Sequence, residues 1–272
     1  MKIRWLLSCV FFGCLPAFAV SAQAVSADSA LSIIDYSSSK AAPSFQADPL
    51  GDKRLLYKSD AYALYLVQSP SGKPFPFYRN QHEFLDFHLS SFARRIDLGG
   101  GKEIKEWVAE GETVLYSKGV ILGNWTAVTK DDVWRTLQIQ APPSALELVP
   151  FEEGQAFRKK QASSKGLLSS ANLNKALKST PRSGSRSVPV VLGERIHSYA
   201  IGGSQPFKLK PALGDEILIV HAGGAQVSMR GGKASLVRKG QILRIPSSLS
   251  GEVTVTPEDK SGFAALHIVI MN

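Results

Sequence analysis

The chain has 272 residues, enough for two small domains, and its 44% hydrophobic and 20% charged residues are typical of a globular protein. Its net charge of +9 weakly favours anionic partners such as polysaccharide, phospholipid headgroups or an acidic protein. The sequence contains no basic and aromatic platform of the kind that binds nucleic acid, which argues against a nucleic-acid partner.

The first 24 residues have the three parts of a secretory signal peptide. Lys2 and Arg4 supply the positive charge, and Trp5–Val20 is apolar but too short to span a membrane. Ala22-Gln23-Ala24 is a cleavage site, and a site two residues earlier, ending at Ala22, is the alternative. We therefore expect an exported protein, periplasmic or secreted after cleavage near Ala24, with its net charge lowered from +9 to +7.

Both cysteines, Cys9 and Cys14, lie within this leader. A lipoprotein cysteine is the alternative, but it fits less well: Phe11 stands where Leu is expected before Cys14, and Cys9 leaves almost no apolar region before it. A chain cut at Ala24 has no cysteine, which excludes a disulfide, a cysteine metal site and a cysteine nucleophile.

The next residues, 25–59, are rich in Ser, Ala, Pro and Asp and predict an irregular arm with one short strand near Leu31–Tyr36. Residues 60–150 then carry a series of short apolar runs separated by turn residues, which is typical of a β-sandwich or barrel. The predicted strands are Tyr62–Val67, Phe84–Ile96, Lys105–Val108, Thr113–Tyr116, Trp125–Val128 and Val133–Gln140.

Residues 151–190 differ from both neighbours. Between Gln155 and Val188 every charged residue is basic, and the remainder is rich in Ser, Gly and Asn. The composition predicts an interdomain linker or long loop, with a short helix at Leu167–Leu177 capped by Ser169 or Ser170. The alternative interpretation is a segment that docks on an anionic surface.

Residues 191–272 return to strand patterns, most clearly in Gly214–Pro246. An apolar strand ends in glycine, a Gly-Gly hairpin follows, and the segment closes with KGQILRIP. This order of strands and glycines resembles the core of the cupin superfamily. The resemblance implies a double-stranded β-helix, or jelly-roll, barrel.

The two β-rich blocks repeat each other at a constant offset of 129 residues. The matched pairs are Asp86 and Asp215, Gly111 and Gly240, Val114 and Leu243, Tyr116 and Ile245, Leu137 and Leu266, and Ile139 and Ile268. We therefore predict an all-β bicupin: two cupin (jelly-roll) barrels in one chain, at residues 60–150 and 191–272.

The resemblance also implies a test for metal, because catalytic cupins hold a divalent ion with histidines and a carboxylate. In the first block, the segment that includes Tyr78 and His82 stands in place of the two-histidine motif, Asp86 matches the acidic position, and Asn124 replaces the later histidine. One imidazole, one carboxylate and one amide are too few for tight transition-metal binding. We expect no cofactor; one divalent metal held by His82, Asp86 and His88 is the alternative.

The second block has no histidine at a ligand position, because Lys210–Gly214 occupies the ligand segment and His221 and His267 lie elsewhere. We predict that its barrel holds no metal.

His82, Asp86 and His88 are candidate catalytic residues, because equal parity in a strand would direct all three to one face. Such a set could form a weak metal site or an Asp–His acid–base pair. The alternative is that His88 is a hydrogen-bonded histidine of the barrel wall and Asp86 a turn or edge residue.

Aromatic residues are concentrated in the first block and are interpreted as barrel core. They are Phe75, Phe77, Tyr78, Phe92, Trp107, Trp125 and Trp134. The alternative is a sugar-stacking platform at the barrel mouth built on Tyr78 and Trp125, with Asn124 as a further ligand-binding candidate.

These observations favour a non-enzymatic exported protein that binds a small molecule, a sugar or an envelope component in the first barrel. The second barrel would serve packing or homodimerisation. The rival hypothesis is an enzyme, either a metal-dependent dioxygenase or a metal-free sugar isomerase or lyase, with its site in the first barrel. A third hypothesis is an interaction protein that uses the basic linker on an anionic surface.

Overall fold

A computed structural model describes residues 31–37, 45–99, 101–129, 133–161, 168–178, 186–209, 214–229, 232, 234–249, 251–258 and 262–271. The predicted signal peptide, its cleavage site and both cysteines lie outside these ranges. Within the described part of the chain, no helix is long and apolar enough to cross a membrane.

Strands dominate the chain. The first group comprises β1 (Ser32–Asp35), β2 (Asp52–Lys58), β3 (Ala63–Pro70), β4 (Pro74–Phe75), β5 (Tyr78–Arg79), β6 (Glu83–His88), β7 (Phe92–Gly99), β8 (Lys102–Val108), β9 (Glu112–Tyr116), β10 (Ile121–Leu122), β11 (Trp125–Val128), β12 (Val133–Ala141) and β13 (Glu147–Leu148). The middle of the chain forms α1 (Phe151–Gln161), β14 (Leu168–Asn172) and α2 (Leu173–Lys178). The second group comprises β15 (Arg186–Leu192), β16 (Ile196–Gly203), β17 (Phe207–Leu209), β18 (Asp215–Ala222), β19 (Gly224–Met229), β20 (Ser235–Arg238), β21 (Gln241–Ile245), β22 (Val253–Pro257) and β23 (Phe263–Ile270).

The two groups form two barrels with the same strand order. The first combines a six-stranded sheet, β14-β9-β6-β12-β3-β2, with a four-stranded sheet, β4-β11-β7-β8. The second combines β1-β21-β18-β23-β16-β15 with β17-β22-β19-β20. A small sheet, β10-β5-β13, is added to the first barrel. The large sheets match strand for strand, so the repeat predicted from the sequence is present in the structure.

Each barrel receives its outermost strand from a segment that precedes the other barrel in sequence. β1 lies in the N-terminal arm but pairs with β21 of the second barrel. β14 lies in the segment predicted as a linker but pairs with β9 of the first barrel. The short strand predicted near Leu31–Tyr36 is confirmed as β1, and its partner strand lies in the other barrel.

The short helix predicted at Leu167–Leu177 is wrong in its first half. Residues 168–172 form β14, because their backbone completes the hydrogen bonds of β9. The helix α2 starts at Leu173, and its cap is Asn172 rather than Ser169 or Ser170. The Asn172 Oδ1 atom accepts hydrogen bonds from the backbone N–H groups of Asn174 at 3.0 Å and Lys175 at 3.2 Å.

The two six-stranded sheets pack face to face. Apolar side chains from both form one shared core, which includes Leu85 and Phe87 of β6 and Ile217 and Ile219 of β18. Because side chains alternate across a strand, the intervening residues of β6 point into the first barrel. Each barrel has its own interior core besides the shared one.

Strand pairing corrects one detail of the predicted repeat. Tyr116 and Ile245 match as predicted, but Tyr116 pairs with Phe84 whereas Ile245 pairs with Glu216. In β18 the matching residues therefore lie three positions later in the sequence than the constant offset of 129 predicts. Asp86 matches Leu218, and Asp215 matches Glu83.

Glu83 joins the two barrels through its side chain. The buried carboxylate accepts three hydrogen bonds from backbone N–H groups where the β15–β16 turn enters β16. The donors are Glu194 at 3.0 Å, Arg195 at 2.8 Å and Ile196 at 2.8 Å. Three charge-assisted hydrogen bonds at one turn of the partner barrel fix the position of that turn relative to β6.

We predict that Glu83→Gln lowers the free energy of unfolding by about 2 kcal/mol, because one carboxylate oxygen is replaced by an amide group that cannot accept the backbone N–H bonds. Urea unfolding measures the change. Glu103→Gln, at an exposed position of β8, is the matched control and should change stability by less than about 0.5 kcal/mol. Equal effects of the two substitutions would contradict the role of Glu83.

Candidate functional site

The interior of the first barrel contains a cluster of polar side chains within aromatic walls. Asp86 and His88 of β6 face inward, because Leu85 and Phe87 on the other face of β6 lie in the shared core. The space they line, called the inner cavity, holds about 20 Å³, room for about one water molecule. Its other polar lining residues are Lys53, Tyr78, Arg94, Tyr116 and Gln138, and its aromatic walls are Phe75, Phe92, Trp125 and Trp134.

Asp86 is 6% exposed, and a side-chain hydrogen bond from Gln138 holds it. The Nε2 atom of Gln138 donates to Asp86 Oδ1 at 3.2 Å, and the Oε1 atom of Gln138 in turn accepts from Gln140 Nε2 at 3.1 Å. Burial raises the pKa of Asp86 to about 7, although the Gln138 bond and the charges of Lys53 and Arg94 act in the opposite direction. Asp86 is therefore a carboxyl group that exchanges its proton near neutrality.

His88 experiences the opposite shift. Burial, with the nearby positive charge of Arg94, lowers the pKa of His88 to about 3, so its imidazole is neutral. Its ring contacts those of Phe92 and Trp134 at centroid distances of 5.3 and 6.1 Å. The Nδ1 atom of His88 and the Nε1 atom of Trp134 are buried and have no hydrogen-bond partner in the described chain. The interpretation of His88 as a fully hydrogen-bonded wall histidine is wrong.

Arg94 brings the guanidinium group of the cluster. Its Nη2 and Nε atoms both contact Glu106 Oε2, at 2.5 and 3.1 Å, across the β7–β8 pair. Burial raises the pKa values of Tyr78 and Tyr116 above their usual range, so both hydroxyls stay protonated and can donate.

The inner cavity lies next to a larger depression at the surface of the first barrel. This mouth depression has a volume of about 380 Å³ and shares Leu50, Lys53 and Leu146 with the inner cavity. The ammonium group of Lys53 is 3.3 Å from Asp48 Oδ2, also at the mouth. A ligand could occupy the depression and extend one small polar group inward.

The second barrel replaces most of this cluster with apolar residues. By strand register Asp86 matches Leu218, His88 matches Val220, and Tyr116 matches Ile245. Val108 and Val237 match because each lies three residues before the matched glycines Gly111 and Gly240. Their strand partners are Phe92 and Ala225, and two residues further along these strands Arg94 matches Val227. All four replacements belong to the apolar interior core of the second barrel.

One polar pair remains inside the second barrel. The Nε2 atom of His267 lies 2.6 Å from Glu216 Oε2, and both residues are buried. These residues match Gln138 and Phe84 of the first barrel. Sequence reasoning missed the pair because the two residues lie on different strands.

The structure places the sequence candidates in different surroundings. Asp86, His88, Tyr78 and Trp125 line the inner cavity. His82 does not: it precedes β6, where strand parity no longer applies, and it lines a separate cleft between the barrels together with Lys118 and Arg195. The expectation that His82, Asp86 and His88 share one face is wrong for His82.

Asn124 and the aromatic residues also differ from expectation. Asn124 is a turn residue with φ of 50°, and its Nδ2 atom donates to the carbonyl of Asp97 at 2.9 Å. Trp125 stacks on Phe75 with ring centroids 4.1 Å apart, so one face of its ring is covered. Trp107, predicted as core, is 67% exposed on β8.

Sequence reasoning missed Arg94, Lys53 and Gln138. The available signal was the alternation of β7, where Arg94 stands between the inward positions of Phe92 and Ile96.

The residues of the inner cavity do not fit a divalent metal. Asp86 and His88 are its two common metal donors, whereas Arg94 and Lys53 bring positive charge to the same space. In the described ranges, no group of three or more His, Cys, Asp and Glu side chains is placed to hold a metal ion.

Asp86 and His88 act on stability in opposite directions between pH 4.5 and 6.5. Asp86 has a raised pKa, so its contribution to the free energy of unfolding is complete at low pH and is lost as the pH rises towards about 7. His88 has a lowered pKa, so its contribution is lost as the pH falls from the usual histidine value towards about 3. Each group changes the free energy of unfolding by about 1.4 kcal/mol per pH unit, and because the two changes have opposite signs they cancel in the wild-type protein.

We predict that single substitutions expose these slopes in urea unfolding. Relative to wild type, Asp86→Asn becomes more stable as the pH rises from 4.5 to 6.5, and His88→Gln becomes less stable over the same range. The double variant should show the same pH dependence as wild type. Parallel curves for all four proteins would contradict the burial of these groups in one interior.

No protein-family model and no curated protein matches the chain. Solved structures match over most of its length. A variant of oxalate decarboxylase from Bacillus subtilis has 12% sequence identity and a TM-score of 0.56, with 88% of this chain and 77% of that chain covered. A cupin 2 conserved barrel domain protein from Leptotrichia buccalis has 11% identity and a TM-score of 0.56, with 88% and 96% covered.

Another structure of the Bacillus subtilis enzyme concerns its Mn(II) centres; it has 12% identity and a TM-score of 0.55, with 88% of this chain and 77% of that chain covered. At these identities the likeness concerns the fold. The chain has the all-β cupin fold, built as two jelly-roll barrels, as predicted from its sequence.

Proposed function

We propose that this protein is an exported, non-enzymatic bicupin that binds a small polar molecule, such as a sugar or an envelope component, in its first barrel. The observation that carries the proposal is a cluster of polar side chains in the first barrel whose matched positions in the second barrel are apolar. Asp86, His88 and Arg94 face the inner cavity, and their matches in the second barrel are apolar. Buried polar groups without full hydrogen bonding lower stability, so their retention in one barrel supports a binding role.

The lining favours a ligand with hydroxyl groups. Asp86 offers an acceptor, and the hydroxyls of Tyr78 and Tyr116 offer donors, beside the aromatic edges of Trp125 and Trp134. The mouth depression of about 380 Å³ would hold the body of the ligand, and the inner cavity would receive one small group. Arg94 is already paired with Glu106, which reduces its pull on an anion.

The second barrel would have a structural role. Its interior core is largely apolar, and its six-stranded sheet supplies one half of the shared core. Homodimerisation through this barrel remains part of the proposal.

Export is supported by the composition of residues 1–24, and sequencing of the mature N-terminus, expected at Val25, tests it.

A substitution that copies the second barrel into the first tests the binding site. Asp86→Leu with His88→Val introduces the residues found at the matching positions, Leu218 and Val220, so the barrel should still fold. We expect the fluorescence of Trp125 and Trp134 to report saturable binding of at least one compound from a panel of neutral mono- and disaccharides to wild type. Binding by the double variant should fall at least thirtyfold.

Asp60→Leu with His197→Val is the matched control, because it makes the same changes of side chain outside the inner cavity. It should bind like wild type. Undiminished binding by the Asp86→Leu, His88→Val protein would contradict the site. About one tightly held Mn, Fe, Ni or Zn ion per purified chain would contradict the metal-free character of the proposal.

A metal-free isomerase or lyase is the second candidate, because the pKa values of Asp86 and His88 are driven apart within one cavity, to about 7 and about 3. Between these values Asp86 is a protonated acid and His88 a neutral base. Exchange of carbonyl-adjacent C–H protons of reducing sugars in D₂O, followed by NMR and abolished by Asp86→Asn, would favour this candidate over binding alone.

A further inference from the structure

A cavity lies between the barrels, apart from the inner cavity, the mouth depression and the cleft that His82 lines. This interbarrel cleft has a volume of about 600 Å³ and shares no lining residue with any of them. Arg54, Glu110 and Arg135 line it from the first barrel, and His221 and Lys239 line it from the second.

Arg54 is a buried cation without a carboxylate partner in the described chain. It is 6% exposed, its Nη2 atom donates to the carbonyl of Tyr36 at 2.7 Å, and its guanidinium lies 5.3 Å from the centre of the Phe45 ring. The Nε atom has no hydrogen-bond partner in the described residues. A buried charge of this kind is costly unless a counter-ion compensates it.

The other charges of the cleft leave it positive. Among the described lining residues Glu110 is the one carboxylate, and this group already contacts Lys239 Nζ at 3.0 Å. Arg135 is exposed, and its guanidinium makes no ion pair with the described residues. Of the residues that the structure describes in this lining, Arg54, Arg135 and Lys239 against Glu110 give a net charge of +2.

We propose that the interbarrel cleft binds a small anionic molecule that carries phosphate or carboxylate groups. Arg54 would meet one oxyanion at the base of the cleft, and Arg135 would approach it from the solvent side. Planar guanidinium groups recognise such oxyanions through paired N–H donors. The cavity volume is that of a small-molecule site, and the ligand joins the two barrels at their contact. This site is independent of the one in the first barrel.

Calorimetric titration of the full protein with inorganic phosphate, pyrophosphate and citrate tests the site. We expect saturable binding of at least one of these anions, with one site per chain and weaker affinity at high salt. Arg135→Gln should weaken this binding about tenfold, since it removes one charged hydrogen-bonding group. Arg95→Gln, at an exposed arginine of β7 outside the cleft, is the matched control and should leave binding unchanged.

Arg54→Met provides a second measurement. The variant should lose anion binding, and anions should no longer raise its melting temperature as they raise that of wild type. The Asp86→Leu, His88→Val protein should retain anion binding, which separates this site from the first-barrel site. The proposal is overturned if none of the three anions binds at 10 mM, or if Arg95→Gln and Arg135→Gln weaken binding equally. Should Arg54→Met not fold, the Arg135→Gln comparison still decides.

Discussion

The contact between the two six-stranded sheets determines which side chains of β6 point into the first barrel. Leu85 and Phe87 fill the shared core with Ile217 and Ile219, and this contact fixes the register of β6. With the apolar face committed to the partner barrel, Phe84, Asp86 and His88 must face the interior of their own barrel. A shift of one residue would place a carboxyl and an imidazole in the shared core, so packing between barrels and placement of the polar cluster are one constraint.

The two barrels show that this fold does not need polar residues at the positions of Asp86, His88 and Arg94. Leu218, Val220 and Val227 build the second interior at the places that Asp86, His88 and Arg94 occupy in the first. The same backbone therefore accepts apolar residues there, and polar groups with unpaired atoms such as His88 Nδ1 lower stability. The Glu216–His267 pair differs, since its two groups satisfy each other at 2.6 Å. That difference separates a buried pair joined by a hydrogen bond from a cluster that keeps unpaired buried atoms among the described residues.

The sequence predicted much of the fold because both barrels repeat one order of strands and glycines. Gly111 and Gly240 have φ values of 81° and 92° at matching turns, a left-handed conformation that other residues rarely adopt. The sequence also predicted that Asp86 and His88 lie on the same face of one strand, because the alternation of side chains along a strand is a local property. It could not predict the pairing of β1 with β21 or of β14 with β9, because those pairs join residues distant in sequence. The alternation rule gave the wrong orientation for His82, because His82 lies outside β6. Arg94 could not be predicted as an interior residue without knowing which face of β7 points into the barrel.

The distribution of charge gives the two cavities different preferences. Inside the first barrel Asp86 and His88 both shift towards their neutral forms, and the charge of Arg94 is balanced by Glu106. A nearly neutral interior loses little electrostatic energy on burial and attracts an anion weakly, which suits a hydroxylated ligand. Among the described residues the interbarrel cleft keeps an excess of positive charge around Arg54, and no carboxylate in that part of the chain pairs with this buried guanidinium. An anion there would remove an electrostatic penalty at the contact between the barrels, so its binding would stabilise the same sheet packing that orients the polar cluster of the first barrel.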